Sequence, residues 1–202
     1  MTRFTAILLC AGKSQRMGEM KALLNWKDST LVKYQVATLI DSGAEEVIVV
    51  LGHNAELIKP ELNDFSAVKC VINKEYETGR TTSIKAGVEA IGSNNTDSIL
   101  FLNVDQPRNM EVISHMVLYH GASRSKITIP TYKGKGGHPI IFGMQFIPDL
   151  LGITEETFGL RSVMSTHDSQ IQRVSVNDPC VLWDLNTPEQ YAQALRNLQR
   201  GW

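Results

Sequence analysis

No apolar run in this sequence approaches the roughly 20 residues that a membrane-spanning helix needs, so no membrane partner is expected. Cysteine is scarce. Cys10, Cys70 and Cys180 are odd in number, far apart and include no C-x-x-C pair, which argues against a disulfide framework and a zinc site. Charge of one sign is not in excess, with 20 Lys plus Arg against 21 Asp plus Glu. Such a balance supplies no basic field for a nucleic-acid backbone and no charged tail. Any phosphate must therefore be held by a local site. Internal repeats, low-complexity tracts and Pro/Ser-rich linkers are also missing.

What is present suits an ordinary globular protein: 43% hydrophobic and 20% charged residues in a chain of 202. That length serves one sizeable core, so residues 1–202 are expected to form a single domain. Phe4–Cys10 is apolar but short, and Gly12, Lys13 and Arg16 follow at once. It reads as a buried strand rather than a signal peptide, and a cytoplasmic setting is expected.

Short apolar runs alternate with helical patterns. Phe4–Cys10, Glu46–Leu51, Val68–Ile72, Ser98–Asn103 and Lys126–Pro130 predict strands, several of them apolar enough to be covered on both faces. Val32, Val36, Leu39 and Ile40 share one helical face, behind a possible cap at Ser29 or Thr30. Ile84, Val88 and Ile91 form a second stripe; Tyr191, Leu195 and Leu198 form a third. The expected fold is α/β, a mostly parallel central sheet with helices on both faces. Ligands of such sheets sit at the carboxyl ends of the strands, so the loops after strands are where chemistry is expected.

The first such loop, Ala11–Lys21, holds Gly12, Gly18, Lys13, Arg16 and Lys21. Glycines let backbone N–H groups approach an anion, and Arg offers a planar fork for phosphate oxygens. A P-loop is excluded because the required glycine position is Ile7, and G-x-G-x-x-G is absent. The loop after Ser98–Asn103 carries Asp105-Gln106-Pro107. A carboxylate beside bound phosphates is unfavourable unless a cation intervenes, which suggests a Mg²⁺ ligand. An ordinary turn carboxylate before proline is the alternative. Glu77–Ser83 opens the helix carrying Ile84, with Thr81 or Thr82 as candidate caps and free N–H groups that favour anions. Asp184 and Asn186 would share one side of a strand, and Thr187-Pro188 makes a good helix start. No Ser-His-Asp triad is visible.

Leu9-Cys10-Ala11-Gly12-Lys13-Ser14-Gln15-Arg16-Met17-Gly18 with Lys21 resembles the L-x-A-G-x-S-x-R-M-G-x-x-K signature of the molybdenum cofactor cytidylyltransferase-like, or MobA-like, NTP transferase family. Asp105-Gln106-Pro107 is similar to that family's D-Q-P motif, and Gly79, Ser83, Ala86 and Gly87 match its G-x-S-S-S/I-x-A-G pattern. Gly136-Gly137-His138-Pro139 resembles its G-H-P segment, and Trp183–Glu189 its D-I-D-T-P-E-D, with Asn186 replacing the second aspartate.

The resemblance implies a Rossmann-like layered fold of the nucleotide-diphospho-sugar transferase type. It implies catalytic Arg16, Lys21 and Asp105, and nucleotide contacts from Ala11, Gly12, Lys13, Ser14, Arg16, Gly18, Lys21, Gly79, Thr81 and Ser83. His138 and Gly137 are expected on the acceptor side, with Mg²⁺ on Asp105, Asp184 and Asn186. The implied activity is Mg²⁺-dependent transfer of a nucleotidyl group from an NTP to a phosphorylated acceptor. Cys10-Ala11-Gly12-Lys13 favours CTP, and molybdopterin is the implied acceptor, with a molybdoenzyme or its chaperone as partner. Alternatives are a sugar- or alditol-phosphate nucleotidyltransferase and a non-catalytic nucleotide- or cofactor-binding chaperone. Arg80 has no assigned role, and Arg108, replacing an apolar residue, would touch the acceptor or be solvated.

Overall fold

A β-branched, nearly continuous apolar strand must be covered on both faces, and its side chains then divide between two cores. The computed structural model, which describes residues 2–92, 96–123 and 126–199, shows this division. In β1 (Phe4–Cys10), Ala6, Leu8 and Cys10 face one core while Ile7 and Leu9 face the other. The short hairpin β2 (Asn25–Trp26) and β3 (Ser29–Thr30) leads to α1 (Leu31–Asp41), then β4 (Ala44–Leu51). α2 (Ala55–Ile58) precedes β5 (Val68–Ile72), α3 (Arg80–Glu89) and β6 (Ser98–Asn103). Next come α4 (Met110–Ala122), β7 (Ile127–Tyr132), β8 (Lys135–Gly136) and β9 (Ile140–Gly143). The chain continues through α5 (Ile147–Gly152), α6 (Leu160–Thr166), β10 (Ile171–Ser175) and α7 (Pro188–Gln199).

The main sheet runs β10-β7-β9-β6-β1-β4-β5, with β8 added to β7. β6, β1, β4 and β5 are parallel; β9 is antiparallel to both neighbours; β7 and β10 are parallel to each other. α1, α4 and α7 cover the face of Ala6 and Leu8, while α3, α5 and α6 cover the face of Ile7 and Leu9. Gly87 of α3 lies so close to β1 that an added Cβ would stand 2.6 Å from Ile7 Cγ2. That glycine serves helix–sheet approach rather than a nucleotide.

Three strands match their expected bounds. β4 starts two residues earlier than Glu46, and β7 spans Ile127–Tyr132 instead of Lys126–Pro130. Thr30 stands at the start of α1 without a capping bond; its hydroxyl donates to Glu61 Oε2 at 3.0 Å. α4 was not foreseen, although Asn109 caps it by accepting from Val112 N at 2.9 Å. Asp184 and Asn186 lie outside any strand, in a tight turn where Asn186 N donates to Asp184 O at 3.0 Å. Thr187 does begin α7: its Oγ1 accepts from Gln190 N, while Gln190 Oε1 accepts from Thr187 N, a reciprocal capping box.

β1 connects through α1 to β4 on one side, while β6 lies on its other side. Chain reversal at this point splays the loops apart and leaves a crevice at the carboxyl ends of β1 and β6. Among the described residues, no helix is long and apolar enough to cross a membrane.

Candidate active site

The crevice is a cleft of about 550 Å³. The loop after β1 forms one wall. It turns through left-handed Ser14 (φ 53°) and Gly18 (φ 75°), and Ser14 Oγ accepts from Lys21 N at 3.2 Å, fastening the loop's end to its start. Ala11, Gly12, Ser14, Arg16 and Lys21 line the cleft. Lys13 does not; its ammonium pairs with Glu77 at 2.5 Å on the outer rim. Gly18 also lies off the cleft lining.

The loop after β6 forms the floor. Lys21 Nζ donates to Asp105 Oδ2 at 2.7 Å and to Asn186 Oδ1 at 2.8 Å, and Arg16 Nη2 reaches the same Asn186 oxygen at 3.3 Å. The Lys21 and Asp105 side chains are 12% and 21% exposed, so this pair is far less screened than a surface one. Leu185 N donates to Asp105 O at 2.8 Å, which brings the Asp184–Asn186 segment against the Asp105 loop. The structure thus gathers Arg16, Lys21, Asp105, Asp184 and Asn186, distant in sequence, into one cleft.

The Asp105 loop is held from beneath. Gln35 of α1 is fully buried, and its Nε2 donates to the carbonyls of Asn103, Val104 and Gln106 at 3.1, 3.4 and 2.9 Å. Gln106 Oε1 accepts from Asn103 Nδ2 at 2.7 Å, while its Nε2 donates to Asp184 Oδ1 at 2.6 Å and lies 3.1 Å from His138 Nδ1. An amide nitrogen only donates, so His138 Nδ1 accepts and the proton of the neutral ring sits on Nε2. Burial first, then the charges of Arg108 and Arg80, lower the His138 pKa to about 3. His138 is therefore a neutral group near pH 7.

Arg108 departs from both expectations. It neither lines the cleft nor meets solvent; it is fully buried. Its guanidinium donates to the carbonyls of Pro107, His138, Val181 and Trp183 at 2.9–3.2 Å, tying the Asp105 loop to the distal segments. Burial lowers its pKa to about 10, so it remains cationic at neutral pH.

The expected middle wall also differs. Gly79 and Ser83 line the cleft, but Thr81 is buried inside α3 and Thr82 donates its hydroxyl to Gly79 O. Gly79, at φ 146°, precedes the helix and offers no side-chain cap. The carboxylate of Glu155 supplies one instead, accepting from Thr81 N at 2.6 Å. One of the N–H groups expected to favour a ligand anion is thus already bound to this chain's own carboxylate. Gly137 packs on the Val181 backbone and lies off the cleft lining, whereas His138 faces the cleft.

Several lining residues had no assigned role. Arg80 reaches Asn103 Oδ1 at 2.7 Å, and Arg161 enters from α6. Gln35, which supports the site from beneath rather than lining it, did carry a signal, a polar residue inside the apolar stripe of Val32, Val36 and Leu39.

Mg²⁺ favours one or two carboxylates plus phosphate and water oxygens. Asp105 and Asp184 offer such a donor set, because each engages only one oxygen in the bonds above. The residues therefore fit that ion, with Asn186 already committed to Arg16 and Lys21.

Residues 6–171 match the MobA-like NTP transferase domain. The chain is 27% identical over 199 residues to the nicotine blue oxidoreductase of Paenarthrobacter nicotinovorans, covering 95% of this chain and 96% of that protein. It is 22% identical to the molybdenum cofactor cytidylyltransferase of Escherichia coli K12, covering 96% of each. The solved structure of a nucleotidyl transferase from Methanothermobacter thermautotroptrophicus superposes with a TM-score of 0.83 at 22% identity, covering 99% of each chain. The fold is thus that of the nucleotide-diphospho-sugar transferases. By the match over most of its length, the chain belongs to the MobA-like NTP transferase family of nucleotidyltransferases.

Proposed function

We propose that this chain transfers a nucleotidyl group, CMP by preference, from an NTP to the phosphate of a small acceptor of the molybdopterin type. The observation that carries this reading is the convergence of Arg16 and Lys21 on Asp105 and Asn186 at the carboxyl edge of the sheet. Arg16 and Lys21 would hold the β- and γ-phosphates. Asp105 and Asp184 would hold Mg²⁺, which when bound offsets negative charge on the nucleotide and acceptor. An acceptor phosphate oxygen attacks the α-phosphorus, its bond to the pyrophosphate oxygen breaks, and pyrophosphate leaves on Arg16 and Lys21. The acceptor phosphate is already ionised at neutral pH, so no general base is needed. Positioning and charge stabilisation supply the rate.

The test is to incubate the protein with Mg²⁺, molybdenum cofactor and each nucleoside triphosphate and to measure pyrophosphate. Release with CTP above the other three is the expected result. Silence with all four would remove the transferase reading.

A second reading rests on the similarity to the nicotine blue oxidoreductase over 95% of this chain. The same cationic loop can take the pyrophosphate of a dinucleotide. Substrate-dependent oxidation of NADH or NADPH, with no pyrophosphate formed from any NTP, would favour it.

A further inference from the structure

The charged lining of the cleft divides into two groups. Arg16 and Lys21 meet at Asn186, on the side of the first loop. Arg80 instead bonds to Asn103 at the end of β6. Burial lowers its pKa, while the charges of Asp105, Asp184 and Glu155 act against that and that of Arg161 with it. Its own charge is felt by His138. Arg80, Arg161 and His138 line the same cleft as Asp105 and Asp184. Four cations against two carboxylates leave the cleft lining net positive, and two of the four, Arg80 and Arg161, come from α3 and α6 rather than from the first loop. Glu155 already takes the Thr81 N–H in the first turn of α3, and His138 carries no charge near pH 7.

We infer that Arg80 and Arg161 form a second anion subsite that grips the dianionic phosphate of the acceptor. This rests on the nucleotidyl-transfer reading and gives the acceptor its own cations. Two guanidinium forks match the oxygens of a phosphate monoester, and a neutral His138 Nε2–H can add a donor without adding charge. Arg80 would exchange its bond with Asn103 for the phosphate. Acceptors carrying a dianionic phosphate are selected over phosphodiesters and neutral alcohols, which leave one fork unmatched. Arg16 and Lys21 remain with the nucleotide.

The test uses the full-length protein, with Mg²⁺ and a CTP analogue whose α–β bridge is carbon. Calorimetry measures the affinity first for the analogue and then, on the loaded protein, for inorganic phosphate. Arg80→Met and Arg161→Met should each weaken phosphate binding about tenfold, a 1.4 kcal/mol effect, and leave analogue affinity within about twofold. Arg80→Lys should restore part of the loss. Both side chains are solvent-accessible, so melting temperatures near that of the parent are expected and are checked alongside. Unchanged phosphate affinity in both variants, no phosphate binding by the parent protein, or an equal loss of analogue affinity would each overturn the subsite. Failure of the parent to bind the analogue would instead count against nucleotidyl transfer, while phosphate titration of the unloaded protein would still decide the role of Arg80 and Arg161.

Discussion

Lys21 shows how one side chain can serve two states. In the structure its ammonium is held between Asp105 and Asn186 at 2.7 and 2.8 Å. A triphosphate carries more charge than one carboxylate and can draw Lys21 away, releasing Asp105 Oδ2 as nucleotide arrives. A neutral Asn186, where the family motif has an aspartate, holds Lys21 less firmly than a second carboxylate would. Asp105→Asn keeps the shape and removes the charge. Pyrophosphate release should fall about 10²-fold or more, the scale of losing one preorganised charge at a reacting phosphate. Near-normal release by Asp105→Asn would remove Asp105 from the machinery. The loops after strands pointed to Arg16, Lys21 and Asp105 as candidates, but a solvated basic loop and a plain turn carboxylate were also open until the resemblance to the family's motifs was added. Arg80 and Arg108 were not legible in this way. An arginine's long stem lets its head finish in a cleft or in a core, and only the surroundings decide which.

At the scale of elements, the Asp105 loop is fixed by parts of the chain far from it. α1 supplies Gln35, and buried Arg108 joins the loop to the segments around His138 and Val181. Gln35→Leu leaves three carbonyls without their donor, a loss of about 1–3 kcal/mol for a buried polar group. Turnover should drop more than stability alone explains, with kcat lowered and the NTP KM little changed. A kcat equal to the parent's in a folded Gln35→Leu protein would limit Gln35 to packing. Arg108→Met should cost about 2–4 kcal/mol in urea unfolding, since four carbonyls lose one shared donor; a change below about 0.5 kcal/mol, the range of ordinary surface substitutions, would contradict its structural role. The strands were legible in sequence because their period is local. α4 was overlooked although Asn109 and the spacing of Val112, Ile113 and Met116 carried the signal. The expected strand at Asp184 and Asn186 is instead a tight turn, with Leu185 buried and its N–H on Asp105 O, because the segment's bonds go to the Asp105 loop rather than to a neighbouring strand.

For the molecule as a whole, two histidines kept neutral by burial make stability depend on pH. Burial lowers His120 to about 4 and, with two arginines, His138 to about 3. Both folded values lie below the unfolded one near 6.5. The unfolded chain therefore binds protons that the folded chain refuses. The contribution is complete above about pH 6.5 and is lost as pH falls toward the folded values. Each group contributes a slope of up to about 1.4 kcal/mol per pH unit. Urea unfolding should show a loss of about 2–4 kcal/mol between pH 6.5 and 5, where carboxylates contribute little. Identical unfolding midpoints at the two pH values would mean that both rings take up protons in the fold as readily as in the unfolded chain.

The alternation of strand and helix, the two-faced burial of Ile7 and Leu8, and the charged loops after β1 and β6 were set by the sequence itself. They depend on neighbours within a few residues, where periodicity and glycine content act directly. Strand order, the insertion of antiparallel β9, the grip of Gln35 and Arg108, and the meeting of Lys21 with Asp105 and Asn186 were decided only by the tertiary structure. Those contacts join residues as many as 165 positions apart. Which partners meet is governed by how two faces of one sheet can be buried at once, a constraint that no local stretch contains.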